Sequence, residues 1–257
     1  LETGEEWPAG SFEHCRDNSD AILLGAIGWP GANLPNGDLA GGQVILGLRS
    51  GLNLYANVRP IKLYEGVKHK IHDNFTQVWS PTNVDLLVIR ENTEGLYHSL
   101  LRRSSLRAQG IEPEEVEEME FGGIEGEVAW DARPISENGS KKLIHLGFEY
   151  AKRRNGSPST GESSVTCVDK SNVTRGCQLF RRVFYEVGEK YPEIGKDAAY
   201  IDAFTMWMVR NPEWFDVVVT SNMFGDIVTD LGSVLQGGMG MAASANLGDE
   251  HGLFEPV

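Results

Sequence analysis

Positive charge is scarce in this 257-residue chain: 23 Lys and Arg stand against 37 Asp and Glu, a formal net charge of −14. A surface this acidic repels a phosphate backbone or an anionic membrane at long range, which argues against nucleic-acid and membrane partners. Cysteine is scarcer still. Cys15, Cys167 and Cys177 are an odd number without metal-ligand spacing, so no disulfide scaffold or zinc site is expected and a reducing compartment is. No apolar run approaches the roughly 18 residues that span a bilayer. The first residues, LETGEEWPAG, lack the basic start and apolar centre of a signal peptide. The expectation is a cytoplasmic protein. Forty per cent of residues are apolar, too many for a disordered chain, and the length suits one large or two modest domains.

Apolar periodicity then sketches the fold. AILLGAI (21–27) reads as a buried strand that stops in a Gly/Pro-rich turn at Gly28, Pro30 and Gly31. Residues 44–54 carry apolar side chains at helical spacing and lead into YANVRPIKLY, where Pro60 predicts a strand end or edge. DLLVI (85–89), SSVTCVDK and FDVVVT (215–220) read as buried strands; 140–154, 176–191 and 226–235 read as helices. The acidic cluster Glu112, Glu114, Glu115, Glu117, Glu118 and Glu120 reads as a solvated face, and GEVAWDAR after it as an extended arm. Strands alternate with helices, which predicts an α/β class with a largely parallel sheet.

Three groups of residues could carry chemistry. Asp226 and Asp230 stand four apart at the expected start of a helix, which puts both carboxylates on one face. A helix N-terminus favours an anion by only about 0.3–1 kcal/mol. One cap with one solvated Asp, or a pair of hard oxygen ligands for Mg²⁺ or Mn²⁺, are the two accounts. Asp202, beside Ile201, Ala203 and Phe204, is expected to be buried, and a buried Asp needs a partner or a metal. The third acid tips the balance to a divalent metal. Arg49, Arg59 and Arg90 each sit at the end of a predicted element, where a rigid fork can bind a carboxylate bidentately. Three of them in a chain short of cations suggest a substrate with more than one carboxylate. Lys170 and Tyr97, each following a strand, are candidates to accept and to donate a proton.

DLLVIRENTEGLY, VDKSNV, YIDAFTMWMV, SNMFGDIVTDLGS and ANLGDEHGLFEPV occur in that order. Together they resemble the β-decarboxylating dehydrogenase family, which includes 3-isopropylmalate, isocitrate, homoisocitrate and tartrate/D-malate dehydrogenases. The resemblance implies an isopropylmalate dehydrogenase-like fold of two α/β domains with a dimer-forming arm. Residues 1–54 and 237–257 would form part of a cofactor-side domain, and 55–236 the dimer-forming domain that binds metal and substrate. It implies Arg49, Arg59 and Arg90 as substrate arginines, Tyr97 and Lys170 as the catalytic pair, Asp202, Asp226 and Asp230 as metal ligands, and Asn172 near the substrate. Gly28 and Glu255 match what remains of the cofactor surroundings. Lys170 and Asp202 would serve the site of the partner in a homodimer. The implied activity is metal-dependent oxidative decarboxylation of a (2R)-2-hydroxy dicarboxylate with NAD, NADP not being excluded.

The family's opening GDGIGPE turn and its HGSAPDIAGK loop have no counterpart here, so the chain is expected to be part of a longer enzyme. Ahead of Arg49, the Ser and Asn of the isocitrate branch are replaced by Gln43 and Ile45, whereas Ile45 and Leu46 keep the apolar pair of the isopropylmalate branch. RENTEGLY and KSN lean toward the isocitrate and tartrate/D-malate branches. The ranking is 3-isopropylmalate first, then tartrate/D-malate, then isocitrate. A catalytically silent partner subunit is the reading from another class, and retention of the whole residue set argues against it.

Overall fold

Short Val- and Ile-rich runs buried on both faces suit a parallel sheet covered by helices, and such runs form the centre of this molecule. The computed structural model describes residues 6–27, 40–98 and 131–257. Its elements run α1 (Ser11–Asn18), β1 (Ala21–Leu23), α2 (Gly42–Gly51), β2 (Ala56–Lys62), β3 (His69–Ile71), β4 (Asn74–Thr76), β5 (Asp85–Glu91), a 3₁₀ turn (Gly95–Tyr97), α3 (Glu137–Arg153), β6 (Ser164–Asp169), α4 (Arg175–Gly188), β7 (Gly195–Tyr200), α5 (Ile201–Arg210), β8 (Val217–Thr220), α6 (Asn222–Leu235), β9 (Ala243–Leu247) and β10 (Gly252–Pro256). Eight strands form one sheet in the order β1-β10-β9-β2-β5-β8-β6-β7, and β3 with β4 forms a separate hairpin. The pairs β1–β10, β5–β8, β8–β6 and β6–β7 are parallel. Those joining β10, β9, β2 and β5 in turn are antiparallel.

The side-chain alternation of β5 shows how the two faces are covered. Leu87 and Ile89 pack with Leu143, Ile144 and Phe148 of α3 and Phe180, Val183 and Phe184 of α4. Leu86 and Val88 pack on the other face with Phe204 and Met208 of α5 and Val228 and Leu235 of α6. A third, smaller cluster joins Phe12 of α1 to Leu48 of α2, Leu52 just after it and Leu253 of β10. The residues 1–54 and 237–257 supply all of it.

Several boundaries differ from the sequence reading. The first strand covers Ala21–Leu23 only, and Leu23 is 87% exposed at the sheet edge. Pro60 lies inside β2, but β9 accompanies β2 only from Ala56 to Val58, so Pro60 is paired on one side alone. Its missing N–H is thereby tolerated. The third helix starts at Glu137 because Ser136 caps it, its side chain accepting from Gly139 N at 3.0 Å. The last helix starts at Asn222, so Asp226 lies inside it and not at its first turn. The turn at Gly28–Gly31, the acidic cluster 112–120 and most of the expected arm lie outside the described residues.

Candidate active site

Parallel strands all end at one edge, so the loops and helix starts that follow them gather there; this is where α/β sheets bind ligands. Arg90 is near the end of β5, Asn222 follows β8, Lys170 follows β6 and Asp202 follows β7. Asn57 of β2 pairs with Arg90, which puts the two on one face, and Arg59 shares that face two residues on. Helix α6 covers it. A methyl group at Gly225 would meet Arg90 Cγ at 2.5 Å, so the glycine lets α6 lie directly on the arginine.

Asp226 is the hub of this cluster. Its carboxylate accepts from Arg90 Nη1 and from the Tyr97 hydroxyl at 2.9 Å, and lies 3.9 Å from Arg59 Nη2. Arg59 Nη1 donates to Thr229 Oγ1 at 2.6 Å and faces Asp230 at 3.6 Å. Arg90 donates from Nε and Nη2 to the single oxygen Asn222 Oδ1, at 3.0 and 2.6 Å. Arg49 pairs with Glu255 at 2.6 Å. Burial lowers the pKa of Arg90 to about 10, with the Asp226 charge opposing the shift and the charges of Arg59 and Arg49 adding to it. Burial lowers Arg59 in the same way. Tyr97 is raised by burial and by its hydrogen bond to Asp226. Three guanidinium groups thus share one site with three carboxylates, those of Asp226, Asp230 and Glu255.

A buried polar network backs the arginines. Asn246 Oδ1 accepts from Asn57 at 2.8 Å and Asn92 at 3.0 Å, while its Nδ2 donates to Glu255 at 2.8 Å. Asn57 also donates to Ser244 Oγ at 2.7 Å. The Nε groups of Arg49 and Arg59 are buried and have no acceptor among the described residues.

Of the residues singled out in the sequence, Arg49, Arg59, Arg90, Tyr97, Asp226, Asp230 and Glu255 are brought together. Ile45 and Leu46 lie four and three residues before Arg49 on α2, half-buried on its side of the helix. Lys170 and Asp202 are not in this group. They pair with each other at 2.7 Å, at the ends of β6 and β7, two and three strands from β5 or about 10 and 14 Å across the sheet. Asp202 is not buried as expected: its side chain is 67% exposed. Phe204 and Met208 hold the inner face of α5, and Asp202, about 200° round the helix from Phe204, faces out. The Lys170 hydrogen bond lowers its pKa. Asn172 is exposed in the turn after Lys170, and Gly28 lies outside the described residues. Among the described residues no three acidic, His or Cys side chains converge as a metal centre within the one chain. Asn222, Thr229, Asn57, Asn92 and Asn246 escape the sequence reading. Asparagines set inside apolar strands, as in YANVRP and SANLG, are the signal that points to such a network.

The family model of isocitrate/isopropylmalate dehydrogenase matches residues 1–257. The chain belongs to that family. It is 39% identical over 256 residues to the 3-isopropylmalate/3-methylmalate dehydrogenase of Methanocaldococcus jannaschii, covering 99% of this chain and 64% of the relative. It is 37% identical over 257 residues to the 3-isopropylmalate dehydrogenase of Clostridium acetobutylicum, covering 100% of this chain and 64% of the relative. Among solved structures, the isocitrate dehydrogenase from Methylococcus capsulatus is similar with a TM-score of 0.75 and 32% identity, over 99% of this chain and 64% of that one. The chain therefore spans 64% of the length of these members of the isocitrate/isopropylmalate dehydrogenase family.

Proposed function

We propose that the full-length protein oxidises and decarboxylates a (2R)-2-hydroxy dicarboxylate of the 3-isopropylmalate type, with NAD or NADP as hydride acceptor. The carrying observation is the cluster of Arg49, Arg59 and Arg90 in an acidic chain, two of them with buried Nε–H groups that have no acceptor among the described residues. Buried donors without acceptors are costly, and a diacid satisfies them with charge-assisted bonds. The relatives named 3-isopropylmalate dehydrogenase support the choice of substrate, as does the apolar pair Ile45 and Leu46 beside Arg49, a wall for an apolar C3 group.

The arginines hold the carboxylates so that C2 faces the nicotinamide, and orientation of this kind is worth orders of magnitude in rate. Glu255 and Gly28 belong to the cofactor side. Asn172 supplies a polar contact to the substrate. Lys170, steadied by Asp202, takes the hydroxyl proton. Tyr97, kept protonated by the causes that raise its pKa, gives a proton to the enol carbon once CO₂ has left. Asp226 and Asp230, on one face of α6, and an Asp202 from a second copy are hard oxygen donors that fit Mg²⁺ or Mn²⁺. Such an ion, when bound, supplies Lewis acidity to the 2-oxo group and its neighbouring carboxylate.

The separation of Lys170 and Asp202 from the arginine cluster favours a homodimer with shared sites. Exposed apolar residues on the adjacent helices α5 (Met206, Val209) and α6 (Ile227, Val234) offer a surface for the second copy. No helix among the described residues is long and apolar enough to cross a membrane, and a cytoplasmic location goes with the scarcity of cysteine. The test is a panel of 3-isopropylmalate, D-malate, tartrate and isocitrate with the full-length protein, NAD or NADP, and Mg²⁺ or Mn²⁺. Formation of reduced nicotinamide fastest with 3-isopropylmalate, abolished in Asp226→Asn, is expected. No turnover of any of the four diacids overturns the reading.

A further inference from the structure

Asn222, the first residue of α6, is 1% exposed, and its one side-chain amide joins Arg90 to the residue that precedes the turn carrying Tyr97. Its Oδ1 accepts both Arg90 bonds, from Nε at 3.0 Å and from Nη2 at 2.6 Å. Its Nδ2 donates to the Glu94 carbonyl oxygen at 2.9 Å. Glu94 immediately precedes the Gly95–Tyr97 turn, and a Cβ at Gly95 would stand 3.2 Å from Asn222 Cβ. The carboxylate of Glu94 is engaged elsewhere, accepting from Ser136 N at 2.7 Å and from the Ser136 hydroxyl. The backbone that leads to Tyr97 is therefore pinned to α6 by the carbonyl and to α3 by the side chain.

The chemistry of an amide suits this place better than that of an acid. Two N–H groups converging on one oxygen fix the plane of a guanidinium. A second carboxylate there, beside that of Asp226, would compete further with an anionic substrate for the arginine. An amide oxygen orients without a countercharge, and its N–H₂ is free to hold the neighbouring turn.

We infer that Asn222 is a positioning residue whose one carboxamide sets both the plane of the Arg90 guanidinium and the place of the turn carrying Tyr97, adding no further charge to the one Asp226 already sets against Arg90. This rests on the proposed roles of Arg90 and Tyr97. It is tested in the full-length protein by a crystal structure of Asn222→Ala and by kinetics with 3-isopropylmalate. The structure is expected to show the Arg90 fork and the 95–97 turn displaced; both standing where they stand with Asn222 overturns the inference whatever the activity. In kinetics, Asn222→Ala raises KM and lowers kcat, each by about tenfold, the scale of a lost hydrogen bond to a charged group. In a Tyr97→Phe background the kcat loss shrinks to under about threefold, and in Arg90→Lys the KM rise shrinks likewise, because effects that act through one another do not add. Fully additive effects point to a merely structural role and overturn the inference. If Arg90→Lys and Tyr97→Phe leave turnover untouched, it is the functional reading that fails, and the crystal structure alone decides Asn222. Should Asn222→Ala not fold, Asn222→Asp keeps the shape but places a negative charge on Arg90. An increase in KM of about tenfold is then expected, and an unchanged KM overturns the inference.

Discussion

Asp85 illustrates how single residues balance burial against charge here. It accepts from Lys62 at 2.7 Å and from Arg154 at 2.8 Å, and Arg154 also holds the fully buried Asp216 at 2.7 Å. Burial raises the Asp85 pKa, but the hydrogen bonds and charges of the two cations together outweigh it and hold the pKa below the ordinary 3.8. Folded Asp85 thus binds protons less readily than unfolded Asp85. Its contribution is complete above about pH 4 and is lost as pH falls through the lowered folded value. Denaturant unfolding between neutral pH and about pH 3 is expected to show a larger stability loss for the wild type than for Asp85→Asn. Equal losses would remove Asp85 from the acid limb. The same competition settles Arg59 and Arg90, whose pKa falls because burial wins over Asp226. None of these outcomes is legible in the sequence. Asp202 sits among apolar neighbours and yet is exposed, because helical geometry and not neighbourhood decides which way a side chain points.

Helix α6 does the most to assemble the site. Along one stripe it presents Asn222 to Arg90, Asp226 to Arg90 and Tyr97, and Thr229 to Arg59, which is the i, i+4, i+7 spacing of a single helix face. Its close approach to β5 depends on Gly225. Gly225→Ala would place a methyl group 2.5 Å from Arg90 Cγ, forcing the helix or the arginine aside at a cost of about 1–3 kcal/mol. A lower denaturation midpoint and weaker substrate binding are the expected results; wild-type values for both would show that α6 can shift freely. The central strands β5, β6 and β8 and the helices α3 and α4 are legible in the sequence, since their apolar runs and periodicity are strong. Their ends are less so. The start of α3 depends on the cap residue Ser136, outside the apolar periodic stretch, and α6 starts at Asn222 with no side-chain cap to mark it.

At the scale of the whole molecule, the division we propose runs through the junction of β9 with β2: residues 1–54 and 237–257 on one side, 55–236 on the other. The Asn246–Asn57 bond crosses it. The distance between the Lys170–Asp202 pair and the arginine cluster makes the shared-site dimer testable by mixing two inactive variants. Lys170→Ala keeps Asp226, and Asp226→Asn keeps Lys170. A mixed dimer would hold one complete site, so partial recovery of activity on mixing and subunit exchange is expected, and none if each copy builds its own site.

The sequence by itself determined the α/β class, the central strands, the family and the residue types of the site, because periodicity and ordered motifs are local properties of the chain. Only the tertiary structure decided which of those residues meet. Arg90 reaches Asn222 across 132 positions and Arg59 reaches Thr229 across 170. Such contacts follow from strand order, pairing register and the seating of α6 on the sheet, none of which is written in any local stretch of residues.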